Sequence, residues 1–158
     1  MLAPAETPVG VSGWPRLLLR LEGAALMAAA LFVYARAGGD WGFCALLFFA
    51  PDLSMVFYLA GPQVGAAAYN CAHVTFAPLL LGALGLLSGQ PLLTRLALIH
   101  LAHIGFDRAL GFGLKYPTAF GDTHLGRIGA APRGNDAVHF GSGALKIQRW
   151  PKGSRKLA

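Results

Sequence analysis

Histidine and aspartate residues stand inside long apolar stretches of this chain. His100, His103 and Asp107 follow one another at intervals of three and four residues, a spacing that places all three on one stripe of an α-helix. Asn70 and His73 share a helix face in the same way. Ionisable groups in a membrane span are costly unless they are paired, solvated or functional. The pattern therefore indicates a site.

Imidazoles and carboxylates together are ligands that proteins use for zinc and similar divalent ions. The sequence predicts four metal ligands: His73, His100, His103 and Asp107. Carboxylates and imidazoles near a metal can also assist an activated water, which makes four further residues candidate catalytic groups: Glu22, Asp52, Asp122 and His124. The alternative is structural, because histidine and asparagine also join membrane helices through simple hydrogen bonds.

The composition indicates that much of the chain faces lipid. Of 158 residues, 55% are hydrophobic and 13% are charged, whereas a soluble domain carries about a quarter charged residues. Most of the lysines and arginines lie from Arg108 onward. A basic tail of this kind favours contact with anionic lipid headgroups over nucleic-acid binding. Cys44 and Cys71 lie in apolar runs and predict no disulfide framework.

Four apolar segments predict membrane spans, each of which takes about 20 residues. They cover residues 17–34, 41–60, 64–87 and 92 to about 107. Short turns between long helices make neighbours antiparallel. The expected fold is therefore all-α, a membrane-embedded antiparallel four-helix bundle, with a kink at Pro78.

The first segment has an alternative interpretation as a cleaved signal peptide. Arg20 and Glu22 interrupt it, and three more apolar segments follow, so a membrane span is the better prediction. The membrane domain is expected over residues 16–129, between a disordered lead (1–15) and a basic, disordered tail (130–158).

Charge asymmetry predicts the orientation of the bundle. Basic residues concentrate on the side of the two termini, so the positive-inside rule predicts a multi-pass inner-membrane protein with both termini in the cytoplasm. Along antiparallel spans, the polar residues of all four helices then fall in the cytoplasmic half. We expect one polar pocket there. The glycine- and aromatic-rich segment 111–127 is expected either to fold over this pocket as a lid or to lie at the interface.

Three stretches resemble a known family. They are Ala50–Met55, the Tyr69-Asn70 pair followed by His73, and the long run His100–Gly129. Through them the chain resembles domain-of-unknown-function family 4260, small bacterial integral membrane proteins without an established activity. The resemblance covers about residues 17–129, and its motif includes His100, His103, Asp107, Arg108, Lys115, Tyr116, Asp122, Thr123 and His124 as they stand here.

A fainter similarity is to inner-membrane metal-dependent hydrolases. It rests on Pro51-Asp52 and Thr123-His124, with different spacings, and is an analogy.

Three functions stay open at this point. The chain is a structural or partner-binding membrane protein, a metal-dependent hydrolase of a lipid or amphiphile, or a small carrier for protons, ions or a metal. The expected cofactor, if there is one, is a divalent metal such as zinc. The expected partners are the lipid bilayer, anionic lipid at the basic tail, and a second copy of the chain in a homo-oligomer, without nucleic acid.

Overall fold

The computed structural model describes residues 10–129. Its helices are α1 (Gly13–Arg36), α2 (Trp41–Leu47), a 3-10 helix (Ala50–Ala60), α3 (Pro62–His73), α4 (Phe76–Leu87) and α5 (Pro91–Leu110). Two short strands, β1 (Asp122–Thr123) and β2 (Gly126–Arg127), pair antiparallel. The prediction of an all-α membrane bundle is confirmed. The basic tail and most of the N-terminal lead lie outside the described residues, and α1 begins within the segment predicted to be disordered.

Three helical stretches are long and apolar enough to cross a membrane. They are Gly13–Arg36, Trp41–Ala60 and Pro62–Leu87, which match the first three predicted spans. The fourth, α5, is 20 residues long but does not belong to this group. It carries five ionisable residues that lower its hydropathy: Arg95, His100, His103, Asp107 and Arg108.

Helix α5 packs against both α1 and α4. Its C-terminal half is almost entirely buried, and Ala102 and His103 are fully inaccessible. Large apolar side chains of the other helices, such as Leu59 and Leu87, are exposed instead, as expected of surfaces that face lipid. The polar helix therefore lies inside the bundle, which explains how a segment too polar to meet lipid belongs to a membrane domain.

Two prolines break the second and third spans, in each case four residues before the proline. A proline ring clashes with the carbonyl of residue i−4 and offers no N–H to it. Helix α2 ends at Leu47, four residues before Pro51, and the chain continues as a 3-10 helix. Helix α3 ends at His73, and Val74, four residues before Pro78, is extended. The kink predicted at Pro78 is thus a complete break one turn earlier.

Residues 111–129 form a C-terminal lobe that folds back onto α3. Backbone bonds join Tyr116 to Asp122 and His124 to Leu114 around the β1–β2 pair. Asn70 of α3 clamps the lobe: its side-chain amide donates to the Lys115 carbonyl at 2.9 Å and accepts from the Lys115 N–H at 2.7 Å. The lobe is therefore attached to the helix that ends in His73.

Candidate metal centre

The proline breaks place two polar residues inside the bundle. Asp52 stands in the first turn of the 3-10 helix, directly after Pro51, and His73 is the last residue of α3. His103 and Asp107 lie one turn apart on the buried half of α5. The helix that contains Asp52 packs against α3. Three parts of the chain thus bring two histidines and two aspartates to one point.

One ligand atom from each of these four residues lies within 4.8 Å of the others. The two Nε2 atoms of His73 and His103 are 3.1 Å apart. Asp52 Oδ1 lies 3.4 Å from His73 Nε2 and 3.6 Å from His103 Nε2. Asp107 Oδ2 lies 3.5 Å and 3.9 Å from the same two nitrogens. We call this group the His2Asp2 centre.

These distances fit the edges of a tetrahedron around one small cation. A zinc ion with bonds of about 2.0–2.2 Å needs its tetrahedral ligand atoms about 3.3–3.6 Å apart. The nitrogen–nitrogen and nitrogen–oxygen separations of 3.1–3.9 Å bracket that range, and the two carboxylate oxygens lie within 4.8 Å of one another. His73, His103 and Asp107 are buried, and Asp52 is half-buried. The arrangement therefore brings together the ligand set of a tetrahedral divalent ion.

Tyr69 orients two of the four ligands. Its carbonyl oxygen lies 2.8 Å from His73 Nδ1, so that nitrogen carries a proton and Nε2 presents a lone pair to the centre. Its hydroxyl donates to Asp107 Oδ2 at 2.7 Å, and its ring stacks on the His73 imidazole at 3.7 Å. Hydrogen bonds of this kind fix a ligand's tautomer and orientation in metal sites.

The centre has more acceptors than donors. With His73 Nε2 as a lone pair and both carboxylates ionised, only His103 Nε2 can hold a proton between the four converging atoms. Asp52 Oδ1 and His103 Nδ1 have no hydrogen-bond partner within the described part of the chain. Buried polar groups are normally paired, because an unpaired one costs about 1–3 kcal/mol. A cation at the centre would satisfy Asp52 Oδ1 and the other three ligand atoms at once.

A small cavity adjoins the centre on the side of the C-terminal lobe. Its volume of about 10 Å³ is roughly what one water molecule requires. Its walls include His73 and Asp107 of the centre, together with Tyr69, Arg108 and Gly113. The Asp52 side chain does not line this cavity and is 28% exposed, against 11% for Asp107. Asp52 is therefore the most accessible of the four ligands.

Two of the residues predicted for the site lie outside the centre. The structure does not bring His100 to the other ligands; its Nε2 lies 2.6 Å from the Ala72 carbonyl oxygen. In an unbroken helix the Ala72 carbonyl oxygen would accept a hydrogen bond from the Phe76 N–H. Because the break before Pro78 removes that donor, His100 provides a hydrogen bond in its place. Glu22 is exposed on α1 and is not among the converging groups.

The C-terminal lobe uses the other two predicted residues for its own fold. Asp122 accepts from the Arg127 guanidinium and the Thr118 hydroxyl, both at 2.7 Å, and these bonds lower the pKa of its carboxyl. His124 Nδ1 accepts from the Leu114 N–H at 2.8 Å. Burial lowers the pKa of this imidazole, which favours its neutral form.

Lys115 is the lobe residue that extends towards the centre. It is buried, with its ammonium donating to the Phe120 carbonyl at 3.0 Å and lying over the Phe120 and Tyr69 rings. Burial lowers the pKa of this ammonium, while the negative charges of Asp107 and Asp52 raise it. The lobe thus places the Lys115 ammonium over the Tyr69 ring, near the carboxylates of Asp52 and Asp107.

Tyr69 has a clear role here and was not predicted as a site residue, whereas Asn70 was part of the predicted polar pattern but was given no ligand or catalytic role. Tyr69 precedes His73 by four residues, so both lie on one face of α3. That spacing is a signal that sequence reasoning could have used. The pairing of Asn70 with Lys115 joins residues 45 positions apart and leaves no local pattern in the sequence.

Comparison with known proteins identifies the family. Residues 16–128 match the model of a family described as a domain of unknown function, DUF4260. Neither a comparison with curated proteins nor one with solved structures gave a match. The matched region contains the bundle, the His2Asp2 centre and nearly the whole C-terminal lobe. The chain therefore belongs to the DUF4260 family of domains of unknown function.

Proposed function

We propose that this protein is a membrane-embedded metalloprotein that binds one divalent transition-metal ion, with zinc the best fit, through Asp52, His73, His103 and Asp107. The observation that carries the proposal is the convergence of the four ligand atoms: the nitrogen–nitrogen and nitrogen–oxygen distances are 3.1–3.9 Å, and all four atoms lie within 4.8 Å of one another. Two imidazoles and two carboxylates suit zinc, which accepts both ligand types in tetrahedral geometry.

Charge supports the same conclusion. Two carboxylates in the interior of a membrane bundle repel one another and cost desolvation energy. A divalent cation neutralises both and leaves the centre with no net charge when the imidazoles are neutral. The proton count favours this state, because His73 already presents a lone pair to the centre through its bond to Tyr69.

The direct test is metal analysis of the full chain. Protein purified in detergent without chelators should contain about one zinc per chain by mass spectrometry, and should regain it after stripping and dialysis. Cobalt loaded in place of zinc should give the intense visible absorption of a tetrahedral site. A wild-type protein that binds neither zinc nor cobalt above background would refute the proposal.

A second candidate function is hydrolysis of an amphiphile by a water held at the metal. The cavity beside His73 and Asp107 has room for about one water, and a zinc-bound water is acidic enough to supply hydroxide near neutral pH. Asp52, the most exposed of the four ligands, would be a candidate general base for this reaction. Zinc-dependent release of fatty acid or phosphate from mixed-micelle lipids is the measurement that checks this reaction.

The orientation proposed with this function places both termini in the cytoplasm. It follows from the positive-inside rule and from the basic residues at the start of α1 and the end of α5. Labelling of single cysteines introduced near the N-terminus and in the turn between α1 and α2 would test it. The N-terminal cysteine should react only from the cytoplasmic side, in a background with Cys44 and Cys71 replaced.

Tyr69→Phe should weaken metal binding without removing a ligand. The change deletes the hydroxyl that donates to Asp107 Oδ2 and keeps the ring stacked on His73. Loss of such an outer partner lowers metal affinity about 10–100-fold. Competition with a coloured chelator measures this affinity directly.

Tyr58→Phe is the matched control, because the Tyr58 hydroxyl is buried and has no hydrogen-bond partner among the described residues. It should leave metal affinity unchanged. Equal affinities for the Tyr69→Phe and wild-type proteins would show that Tyr69 does not orient Asp107 on a metal.

A further inference from the structure

Three arginines gather where α1 begins and α5 ends. Arg20 Nε donates to the Ala109 carbonyl at 2.8 Å. The Arg16 guanidinium lies against two glycines of the lobe. A Cβ atom added at Gly111 would be 3.7 Å from it, and a Cβ atom added at Gly126 would be 3.3 Å from it. Arg20 Nε lies 3.9 Å from the same point at Gly111. Arg16 and Arg20 therefore converge on the turn that follows α5.

Arg108 belongs to the same end of the bundle. Its Cβ is close to Gly23 of α1, one turn after Arg20. It also lines the cavity beside His73 and Asp107. Arg108 thus lies beside α1 and borders the cavity next to the His2Asp2 centre.

These cations lack acidic partners in the part of the chain that the structure describes. No carboxylate oxygen of residues 10–129 lies within 4.0 Å of Arg16, Arg20 or Arg108; the one Arg–Asp ion pair there joins Arg127 to Asp122. Arg16 Nε is buried without a hydrogen-bond partner in the same range. All three side chains are partly buried. Partly buried guanidinium groups without counter-ions favour a negatively charged ligand.

Glycines keep the surface between these arginines open. Gly111 has φ +97 and Gly126 has φ +106, a backbone region that favours glycine. A side chain at Gly126 would meet the Arg16 guanidinium. Absence of side chains at both points lets a ligand approach the guanidinium groups at the level where the chain leaves the membrane domain.

We infer that Arg16, Arg20 and Arg108 form a binding site for a phosphate group carried by an anionic amphiphile, next to the His2Asp2 centre. Guanidinium groups bind phosphate oxygens through paired, charge-assisted hydrogen bonds. The position at the membrane boundary suits a lipid headgroup, and free phosphate shares its chemistry. The site does not require a bound metal. If the proposed metal centre is correct, the phosphate lies on the Arg108 side of it, which would make phosphate-bearing lipids the substrate or ligand class of that centre.

The experiment measures binding of dioctanoyl phosphatidic acid, dioctanoyl phosphatidylcholine and inorganic phosphate to the detergent-solubilised full chain by isothermal titration calorimetry. Phosphatidic acid should bind at least about tenfold more tightly than phosphatidylcholine. Arg16→Gln and Arg108→Gln should each weaken phosphatidic acid about tenfold or more, the loss expected for one charge-assisted bond. Arg36→Gln removes the same charge from the other end of α1 and should change nothing.

Inorganic phosphate distinguishes the two sources of the ligand. Displacement of the lipid by phosphate would assign recognition to the phosphate alone; binding of the lipid without displacement would assign it to a lipid-borne phosphate. Both outcomes support the site. Equal affinities for the two lipids, or an equal loss in Arg36→Gln, would overturn it.

Two further measurements test whether a loss of lipid binding comes from the arginine site itself, and not from misfolding or from loss of the metal. Arg16→Lys and Arg108→Lys keep the charge and should retain part of the affinity, while thermal unfolding reports whether the glutamine variants fold. Protein stripped with a chelator should still bind phosphatidic acid. If phosphatidic acid binds only when zinc is added, the metal binds the phosphate and the inference is wrong. If phosphatidic acid binds to a protein that takes up no zinc, the arginine site is supported and only the metal centre is refuted.

Discussion

His103→Gln should remove the metal from this protein, whereas His100→Gln should leave it in place. The two histidines stand three residues apart on α5 and differ in what they contact. His103 Nε2 lies 3.1 Å from His73 Nε2, inside the His2Asp2 centre, and His100 Nε2 lies 2.6 Å from the Ala72 carbonyl. Loss of one ligand from a four-ligand site should lower zinc affinity by more than the about 10–100-fold that an outer-shell change costs.

Thermal unfolding provides a second readout of the same difference. A ligand that binds only the folded state stabilises it by about 2.7 kcal/mol when present at 100 times its dissociation constant. Zinc should therefore raise the melting temperature of the wild-type and His100→Gln proteins and leave that of His103→Gln unchanged. Glutamine can still donate to the Ala72 carbonyl, so the control keeps the bond that His100 makes.

Asp107→Asn and His73→Gln should behave like His103→Gln, because each removes a buried ligand. Asp52→Asn should have the smallest effect of the four, since Asp52 is the most exposed ligand. Retention of one zinc per chain in both His73→Gln and His103→Gln would place the metal elsewhere. Loss of zinc in His100→Gln, with the fold intact, would return His100 to the ligand set.

The contrast between His100 and His103 shows how far the sequence could predict this site. Helical spacing placed His103 and Asp107 on one stripe, and Asp52 was named as a candidate catalytic group. The same stripe also contained His100. Which part of it meets His73 depends on the register between α5 and α3, and that register follows from the break at Val74 and from packing between distant segments. No local spacing encodes it.

The bundle was easier to predict than the site for a physical reason. Apolar length is a property of each segment alone, and it identified the three spans that are apolar enough to face lipid. Burial of α5 is a property of the whole assembly: its polar residues are tolerated because other helices surround it. The lobe is intermediate, since its glycines and aromatics left a fold-back and an interfacial loop as alternatives and did not predict the clamp between Asn70 and Lys115.

Gly105→Ala should destabilise the bundle strongly, although alanine is the better helix former. Gly105 lies between His103 and Asp107 and faces α1. A Cβ at this position would stand 2.6 Å from the Met27 backbone nitrogen and 2.7 Å from the Gly23 carbonyl oxygen. Small residues allow such close backbone contact between membrane helices. Since both neighbours are backbone atoms, no side chain can move aside, and α1 and α5 must separate.

Gly82→Ala on α4 is the matched control. It is the same substitution in another membrane helix, and its Cβ would meet the Ala97 side chain at 3.3 Å, a contact that a small shift relieves. Helix propensity favours alanine over glycine by about 1 kcal/mol, so Gly82→Ala should be neutral or stabilising. Gly105→Ala should lose about 1–3 kcal/mol of unfolding free energy, the usual cost of overpacking, or more.

The same substitution should also weaken the metal site, because α5 supplies two ligands and its displacement from α1 changes their approach to His73 and Asp52. Zinc affinity should therefore fall in Gly105→Ala and hold in Gly82→Ala. Unfolding by denaturant in mixed micelles, followed by helical circular dichroism, measures the stability difference, and chelator competition measures the affinity. If the two glycine variants unfold at the same denaturant concentration, the close contact between α1 and α5 does not stabilise the bundle.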